Sequence, residues 1–423
     1  MTIINKNLLS LVCTVFLMST VQSLDNGLAK TPPMGWMSWE RFRCITDCDK
    51  YPDECISERL FMEMADIIVN EGYLAAGYEY VNIDDCWTEM ERENGKIVPD
   101  KKRFPHGVKY LSDYIHSKGL KFGTYLDYGT KTCAGYPGTL GFEATDAQSL
   151  ADWEVDFIKL DGCNIDTSVM VDGYIEFGKM MNKTGRPIMY SCSWPAYFEY
   201  YRRPTSIPDY DILVETCNLW RNYVDIDDSY ESVLFIADYF ANNSDRLIPY
   251  AGPGHWNDPD TLLLGNFGLS YEQSKAQLAI WAILAAPFLL STDLRTITPE
   301  IKELILNREI IAIDQDKLGI QGKRLSALNR IETWIRPVSP IVNNEYSYAV
   351  AFVSRRTDGH GYAFEFSLEK LGLTNLLGYE VKDLFDSKRE SFKITLGQSL
   401  EDRVNPTGAN FYKLTPITNR ARR

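Results

Sequence analysis

Lys159 and Asp161 lie two residues apart at the end of the apolar run 156–161, and Gly162 and Cys163 follow. On a strand that spacing puts both side chains on one face. A charged pair at the end of a buried strand is costly unless it has a partner or a task. The same ending recurs along the chain. Residues 81–87 (VNIDDCW), 122–127 (FGTYLD) and 188–194 (IMYSCSW) each carry an apolar run into polar groups. A closed parallel sheet gathers such strand ends at one rim, where a small molecule can be met from several sides.

A second carboxyl suited to chemistry stands in residues 217–228 (CNLWRNYVDIDD), at Asp225. Two carboxyls of opposed protonation can hydrolyse a glycosidic bond with retention, one as an ionised nucleophile and the other as a protonated acid. A cation beside the first keeps it ionised, and spacing offers Lys159 for that. The second needs burial or a neighbouring carboxylate to hold its proton. Asp225 falls two strand units after Asp161, so the two can face each other across a rim. The bland alternative, Asp225 capping a helix with its acidic neighbours, stays open. The four histidines, at 106, 116, 255 and 360, show no zinc-ligand spacing. His255 reads as structural. With no phosphate loop and no Ser-His-Asp elbow, neither a metal nor a cofactor is expected.

Positioning these groups requires strands that alternate with helices. Strands are predicted near 33–37, 79–84, 120–126, 155–161, 187–192, 212–216, 247–251 and 286–291. Helices are predicted over 57–71, 107–118, 146–153 and 271–284. Eight such units indicate an α/β fold, a (β/α)8 TIM barrel over residues 24–323. A doubly wound sheet is the alternative, but no Gly-rich loop follows the first strand. After Gly319–Gly322 the pattern becomes short alternating strands, near 331–336, 346–353, 361–366, 379–384, 392–396 and 410–414. These predict a small antiparallel β domain over 324–423 that packs on the barrel and carries no catalytic group. The basic end, 419–423, reads as frayed.

The bulk properties narrow the class. The 423 residues are 45% hydrophobic, enough for a full core, and 44 basic against 58 acidic residues leave a net charge of −14. That disfavours nucleic acid or an anionic membrane as partner and suits mildly acidic surroundings. Residues 1–23 read as a secretory signal, with Lys6, an apolar stretch from Leu8 to Met18 and small residues before position 24. The run 278–290 holds Pro287 and reads as a helix followed by a strand, so no membrane span is expected. Of nine cysteines, Cys13 lies in the leader. The remaining eight, an even number in a secreted chain, read as disulfides. Asn182 and Asn242 head glycosylation sequons.

The segments Met34–Phe42 (MGWMSWERF), Asn82–Trp87 (NIDDCW), Arg103–Gly107 (RFPHG), Lys131–Gly135 (KTCAG), Lys159–Cys163 (KLDGC), Ala251–Asp260 (AGPGHWNDPD) and Gly265–Leu269 (GNFGL) resemble the lysosomal α-galactosidase and α-N-acetylgalactosaminidase family, glycoside hydrolase family 27. The likeness runs from Leu24 to Gly408 and is weaker in the C-terminal domain. It implies a retaining exo-glycosidase for terminal α-linked galactose-type sugars, with Asp161 as nucleophile and Asp225 as acid/base. It implies that Asp84 and Asp85 hold the 4- and 6-hydroxyls and Lys159 the 3- and 4-hydroxyls. Trp39 would form an apolar wall, and Tyr125, Asp260, Cys133 and Cys163 would complete the pocket. It also implies the pairs Cys44–Cys86, Cys48–Cys55, Cys133–Cys163 and Cys192–Cys217, and a homodimer.

Within the family, galactosidases carry Glu and Leu where this chain has Ser193 and Ala196. The smaller pair leaves room for an acetamido group, with Tyr197 close by and Arg221 able to reach the carbonyl. The resemblance is therefore to the branch that removes terminal α-linked N-acetylgalactosamine, by double displacement, in a lysosomal or secreted setting. α-Galactosidase or dual activity is the near alternative. A non-catalytic sugar-binding barrel is the distant one, disfavoured because both aspartates are present. Thr261 departs from the family's methionine and puts one wall contact in doubt.

Overall fold

The computed structural model describes residues 26–201 and 207–418. The leader expected over 1–23 and the basic end 419–423 lie outside the described residues. Eight short strands form one parallel sheet: β1 (Met34–Met37), β2 (Tyr80–Asn82), β3 (Lys121–Asp127), β4 (Phe157–Asp161), β5 (Met189–Cys192), β6 (Leu219–Arg221), β7 (Trp256–Asp258) and β8 (Phe288–Leu290). Each pairs with the next through β7, and β1 also pairs with β8. Beyond β7, Leu262 bridges Leu290 in parallel, which brings the two ends of the sheet together. The strands are buried nearly throughout, as expected of parallel strands with helices outside and side chains within.

Polarity is segregated along the strands. Tyr80, Phe157, Met189, Leu219 and Trp256 open β2, β4, β5, β6 and β7 and join one buried apolar cluster inside the barrel. Asp127, Asp161, Arg221 and Asp258 close β3, β4, β6 and β7. The amino-terminal end is thus plugged with hydrocarbon, and the carboxyl-terminal end is lined with charge.

Two strands lie elsewhere than the sequence pattern suggests. Residues 212–216 (ILVET) read as a β-branched run, yet they belong to the helix Tyr210–Thr216. The Asp209 side chain accepts from the amides of Asp211 and Ile212, so a cap outweighs strand propensity. The sixth strand is the buried Leu219–Arg221. Residues 247–251 hold Pro249 and form a helical turn, Ile248–Tyr250, and the seventh strand is Trp256–Asp258. The other helix expectations agree with the structure: Glu58–Asn70 capped by Ser57, Gly107–Ser117, Glu143–Asp152, and Tyr271–Leu284 with a Ser270/Gln273 capping box.

The C-terminal part is a β-sandwich. Its six-stranded sheet holds β9 (Lys323–Leu328), β10 (Ile331–Val342), β11 (Glu345–Ser354), β13 (Tyr379–Asp383), β14 (Phe392–Ile394) and β16 (Ala409–Pro416). The pair β12 (Tyr362–Ser367) and β15 (Ser399–Val404) contributes Phe364, Phe366 and Val404 to a core shared with Phe352 and Tyr412 of the larger sheet. Strands β9 and β15 were not expected, since exposed and charged residues hide their alternation. The helix Tyr271–Leu284 lies between the two parts. Its side chains from Ala276 to Leu284 are all buried, and it packs on β10, β11 and β16.

Four disulfides join Cys44 to Cys86, Cys48 to Cys55, Cys133 to Cys163 and Cys192 to Cys217. Asn182 and Asn242 are exposed. Among the described residues no helix is long and apolar enough to cross a membrane. Leu278 is 1% exposed in the shared core, so Leu278→Ala is expected to cost roughly 2–5 kcal/mol. Denaturant unfolding followed by tryptophan fluorescence measures it.

Candidate active site

A cavity of about 230 Å³ opens at the carboxyl-terminal rim of the barrel. Lys159, Asp161, Ser193, Ala196, Tyr197, Tyr201, Arg221, Asp225 and the sulfur pair Cys133–Cys163 line it. The two carboxyls singled out by sequence therefore border one cavity. Asp84, Asp85, Tyr125 and Asp260 lie just behind this wall, each at most 5% exposed. Trp39 is half-buried beside the Arg43 guanidinium, 5.2 Å from its ring.

Asp161 ends β4, and three donors fix its carboxylate. Tyr197 donates to Oδ1 at 2.8 Å, the Gly162 amide to Oδ1 at 2.9 Å and Tyr125 to Oδ2 at 2.9 Å. Burial, with Asp161 next, pushes both phenols well above the ordinary tyrosine range, so both remain donors. The Cys133 sulfur touches Oδ2 at 3.4 Å. This differs from the expectation that Lys159 is the cation beside Asp161. Lys159 Nζ instead pairs with Asp84 Oδ2 at 2.8 Å. Burial would lower the ammonium, but Asp84 outweighs it and holds it above the ordinary lysine range. Spacing showed that Lys159 and Asp161 share a face; it could not show which carboxyl a long, flexible lysine reaches.

Arg221 ends β6 and serves two carboxylates, Asp225 Oδ1 and Asp260 Oδ2, each at 2.6 Å. Asp260 has φ 78°, a conformation that few non-glycine residues adopt. It is held there by amides of Ile226 and Thr261 that donate to its carboxylate. Burial raises Asp260 to about 6 despite Arg221. Asp225 is recessed in the rim, which pushes its carboxyl up, but Arg221 and then Lys159 pull it below the ordinary range. Its side chain is still 54% open to solvent, which screens part of that pull. Asp85 accepts from the Cys86 and Ala134 amides, yet burial raises it to about 6.

Two groups at the site had no role assigned from sequence. Tyr201 lines the cavity, and its hydroxyl accepts the Asp225 amide at 2.9 Å. Its signal was the repeat of Tyr at 197 and 201, one helical turn apart. Asp127 ends β3 directly opposite Asp161 on β4. It is fully buried, with one amide, that of Cys163, donating to Oδ2 at 3.0 Å and with Oδ1 unpartnered. Burial and the facing Asp161 push its carboxyl up to about 9. Like charges directly opposite on neighbouring strands repel, and that repulsion adds to burial in keeping the Asp127 proton. His255 lies away from the cavity, stacked on Trp220 with Nδ1 against the Tyr250 carbonyl. Thr261 is buried, and its carbonyl accepts from Gln277.

The α-galactosidase A family model matches residues 31–316, and its C-terminal β-sandwich model matches 319–408. The chain belongs to this family, glycoside hydrolase family 27. It is 51% identical to an α-N-acetylgalactosaminidase of Gallus gallus over 93% of this chain and 95% of that one. It is 45% identical to human α-galactosidase A over 93% and 90% of the two chains. α-Galactosidase I of Mortierella vinacea superposes with a TM-score of 0.79 at 27% identity, covering 93% of this chain and all of that one. This family member is a glycosyl hydrolase, and several of its strands deliver polar groups to one rim as a TIM barrel does.

The raised Asp127 carboxyl has a consequence for stability. The folded chain keeps a proton up to about 9 that an unfolded aspartate releases near ~3.9. The stability it contributes is full below ~3.9 and is lost as pH rises through about 9. Asp127→Asn, which mimics the neutral acid, is expected to flatten the decline in melting temperature between pH 5 and pH 8, read by calorimetry at intervals across that window.

Proposed function

We propose that this chain is a retaining exo-glycosidase that removes terminal α-linked N-acetylgalactosamine from glycoconjugates, with Asp161 as nucleophile and Asp225 as acid/base. One observation carries the reading: both carboxyls border a single cavity whose wall includes the two small side chains Ser193 and Ala196. In the first step Asp161 attacks the anomeric carbon while Asp225 gives its proton to the leaving oxygen. Water then attacks the glycosyl-enzyme, and Asp225 takes the proton back. The three donors on Asp161 hold one carboxylate orientation for attack.

The acid half of the cycle needs a proton on Asp225, and Arg221 opposes that. An acetamide carbonyl that accepts from Arg221 weakens the ion pair and favours the protonated acid. Ser193 meets the same acetamide and Ala196 its methyl. Asp84 and Asp85 take the 4- and 6-hydroxyls, and Lys159, braced by Asp84, takes the 3- and 4-hydroxyls. A polar site of this kind rejects an epimer because the epimer leaves buried groups unpaired. Trp39, Tyr125, Asp260 and the Cys133–Cys163 bridge complete the walls. The similarity to the Gallus gallus enzyme supports the acetylated substrate.

A second reading, α-galactosidase or dual activity, is favoured by the likeness to human α-galactosidase A and by a pocket that admits plain galactose with a void left over. The same proposal includes removal of residues 1–23, a division into a barrel over 24–323 and a β domain over 324–423, glycans on Asn182 and Asn242, a homodimer, and a secretory route to the lysosome or outside. The four disulfides support an oxidising compartment, and the exposure of both asparagines leaves them open to glycans.

Asp161→Asn is expected to lower kcat by ~10⁴-fold or more with an unchanged circular dichroism spectrum; near-normal turnover would refute the assignment. Wild type is expected to prefer an aryl α-GalNAc over the matching α-galactoside and to release the α-anomer first, as followed by NMR. Ser193→Glu combined with Ala196→Leu is expected to invert that preference. A double variant that still favours the acetylated sugar would overturn the pocket reading.

A further inference from the structure

Resting on the glycosidase reading, the leaving oxygen must come within hydrogen-bond reach of Asp225. Whatever that oxygen carries therefore leaves the cavity beside Asp225 and its partner Tyr201, whose hydroxyl holds the Asp225 amide at 2.9 Å. Tyr201 closes a π-helical turn, Tyr197–Tyr201, a form common at functional sites. The turn spans from the nucleophile, held by Tyr197, to a group of open rings. The Tyr201 and Tyr200 centroids are 5.3 Å apart, and Tyr200 meets Tyr223 at 5.2 Å and Phe235 at 6.3 Å, edge to face in each case. Tyr223 in turn stacks on Tyr239 at 4.2 Å, which backs the group with buried structure.

Tyr200, Tyr201 and Phe235 remain 47%, 44% and 48% exposed. Leaving three large rings open to water together is unfavourable, and contiguous open aromatic surface marks a place of contact. This one is continuous with the cavity and lies on the side where the acid stands. The rings are mutually braced, so little conformational freedom is lost when a flat group settles on them.

We propose that Tyr200, Tyr201 and Phe235 form an aglycone subsite that takes a flat apolar face, either an aryl group or the C–H face of a second sugar ring. It selects substrates by what is attached to the scissile oxygen, whereas Ser193 and Ala196 select by the sugar. A methyl aglycone is too small to reach the rings and gains nothing from them.

The test compares kcat/KM for methyl, aryl, octyl and β-linked galactosyl aglycones of the same α-linked sugar, in wild type and in Tyr200→Ala, Phe235→Ala and Tyr200→Phe. The expectation is a loss of about 3- to 10-fold for the aryl or galactosyl substrate in both alanine variants. The methyl substrate is unchanged, and Tyr200→Phe restores the wild-type value. Loss on the aryl substrate alone assigns the face to π systems, and loss on the galactosyl substrate assigns it to a sugar. Equal effects on all four aglycones, or loss confined to the octyl chain, overturn the subsite. A fall in sedimenting mass in Phe235→Ala with equal effects on all four assigns the rings to contact with a second copy and also overturns it. If wild type leaves the methyl glycoside intact, the glycosidase reading itself has failed, which the variant ratios cannot mimic.

Discussion

The rim of the barrel gathers more negative charge than positive, and the rest of the site follows from how that excess is managed. Asp84, Asp85, Asp127, Asp161, Asp225 and Asp260 converge there, and the cations that meet them are Lys159 and Arg221. Arg221 is shared between two carboxylates. Asp161 is satisfied by phenols and an amide. Asp127, with one amide and a like group opposite, keeps its proton. Three kinds of stabilisation thus operate side by side: a cation, neutral donors and a retained proton. Chemistry that needs one charged and one proton-bearing carboxyl arises naturally where identical residue types are solvated so differently.

The same excess ties the protein to acid. Burial raises Asp85 and Asp260 to about 6, Glu40 to about 7 and Asp127 to about 9. Each of these carboxyls costs less to bury when it carries a proton, so together they weaken the fold as pH rises. The acidic composition alone hinted at this only loosely. What decides it is where the acids sit.

Much of the architecture was legible because a parallel barrel repeats one physical pattern. Apolar runs that end in Asp or Asn marked β2, β3 and β4, one that ends in Ser and Cys marked β5, and the capped helices between them had clear starts. The sixth and seventh strands were not legible, because each is three residues long and a longer apolar stretch nearby drew the assignment. The Asp209 cap was the signal against a strand at 212–216. At the site, residue types and spacing selected the two carboxyls that border the cavity. They did not show that Lys159 turns to Asp84, nor that Asp127 stands opposite Asp161, because partner choice depends on where neighbouring strands lie in register. The ring of Tyr200, Tyr223 and Phe235 assembles from separate segments, and sequence offers no sign of it.

The helix Tyr271–Leu284 is apolar around its circumference from Leu278 to Leu284, and its last turn is held by the wholly buried Arg336 of β10, which donates to the Ala282 carbonyl at 2.6 Å and, beyond the helix, to the Ile320 carbonyl at 2.7 Å. The same helix reaches the floor of the rim cavity through Trp281, whose indole donates to the Asp260 carbonyl at 2.7 Å. The two architectures are therefore welded along a shared greasy seam. One flank of that rod is covered by strands of the β-sandwich, so the sandwich is part of the packing that holds the Asp260 backbone in place.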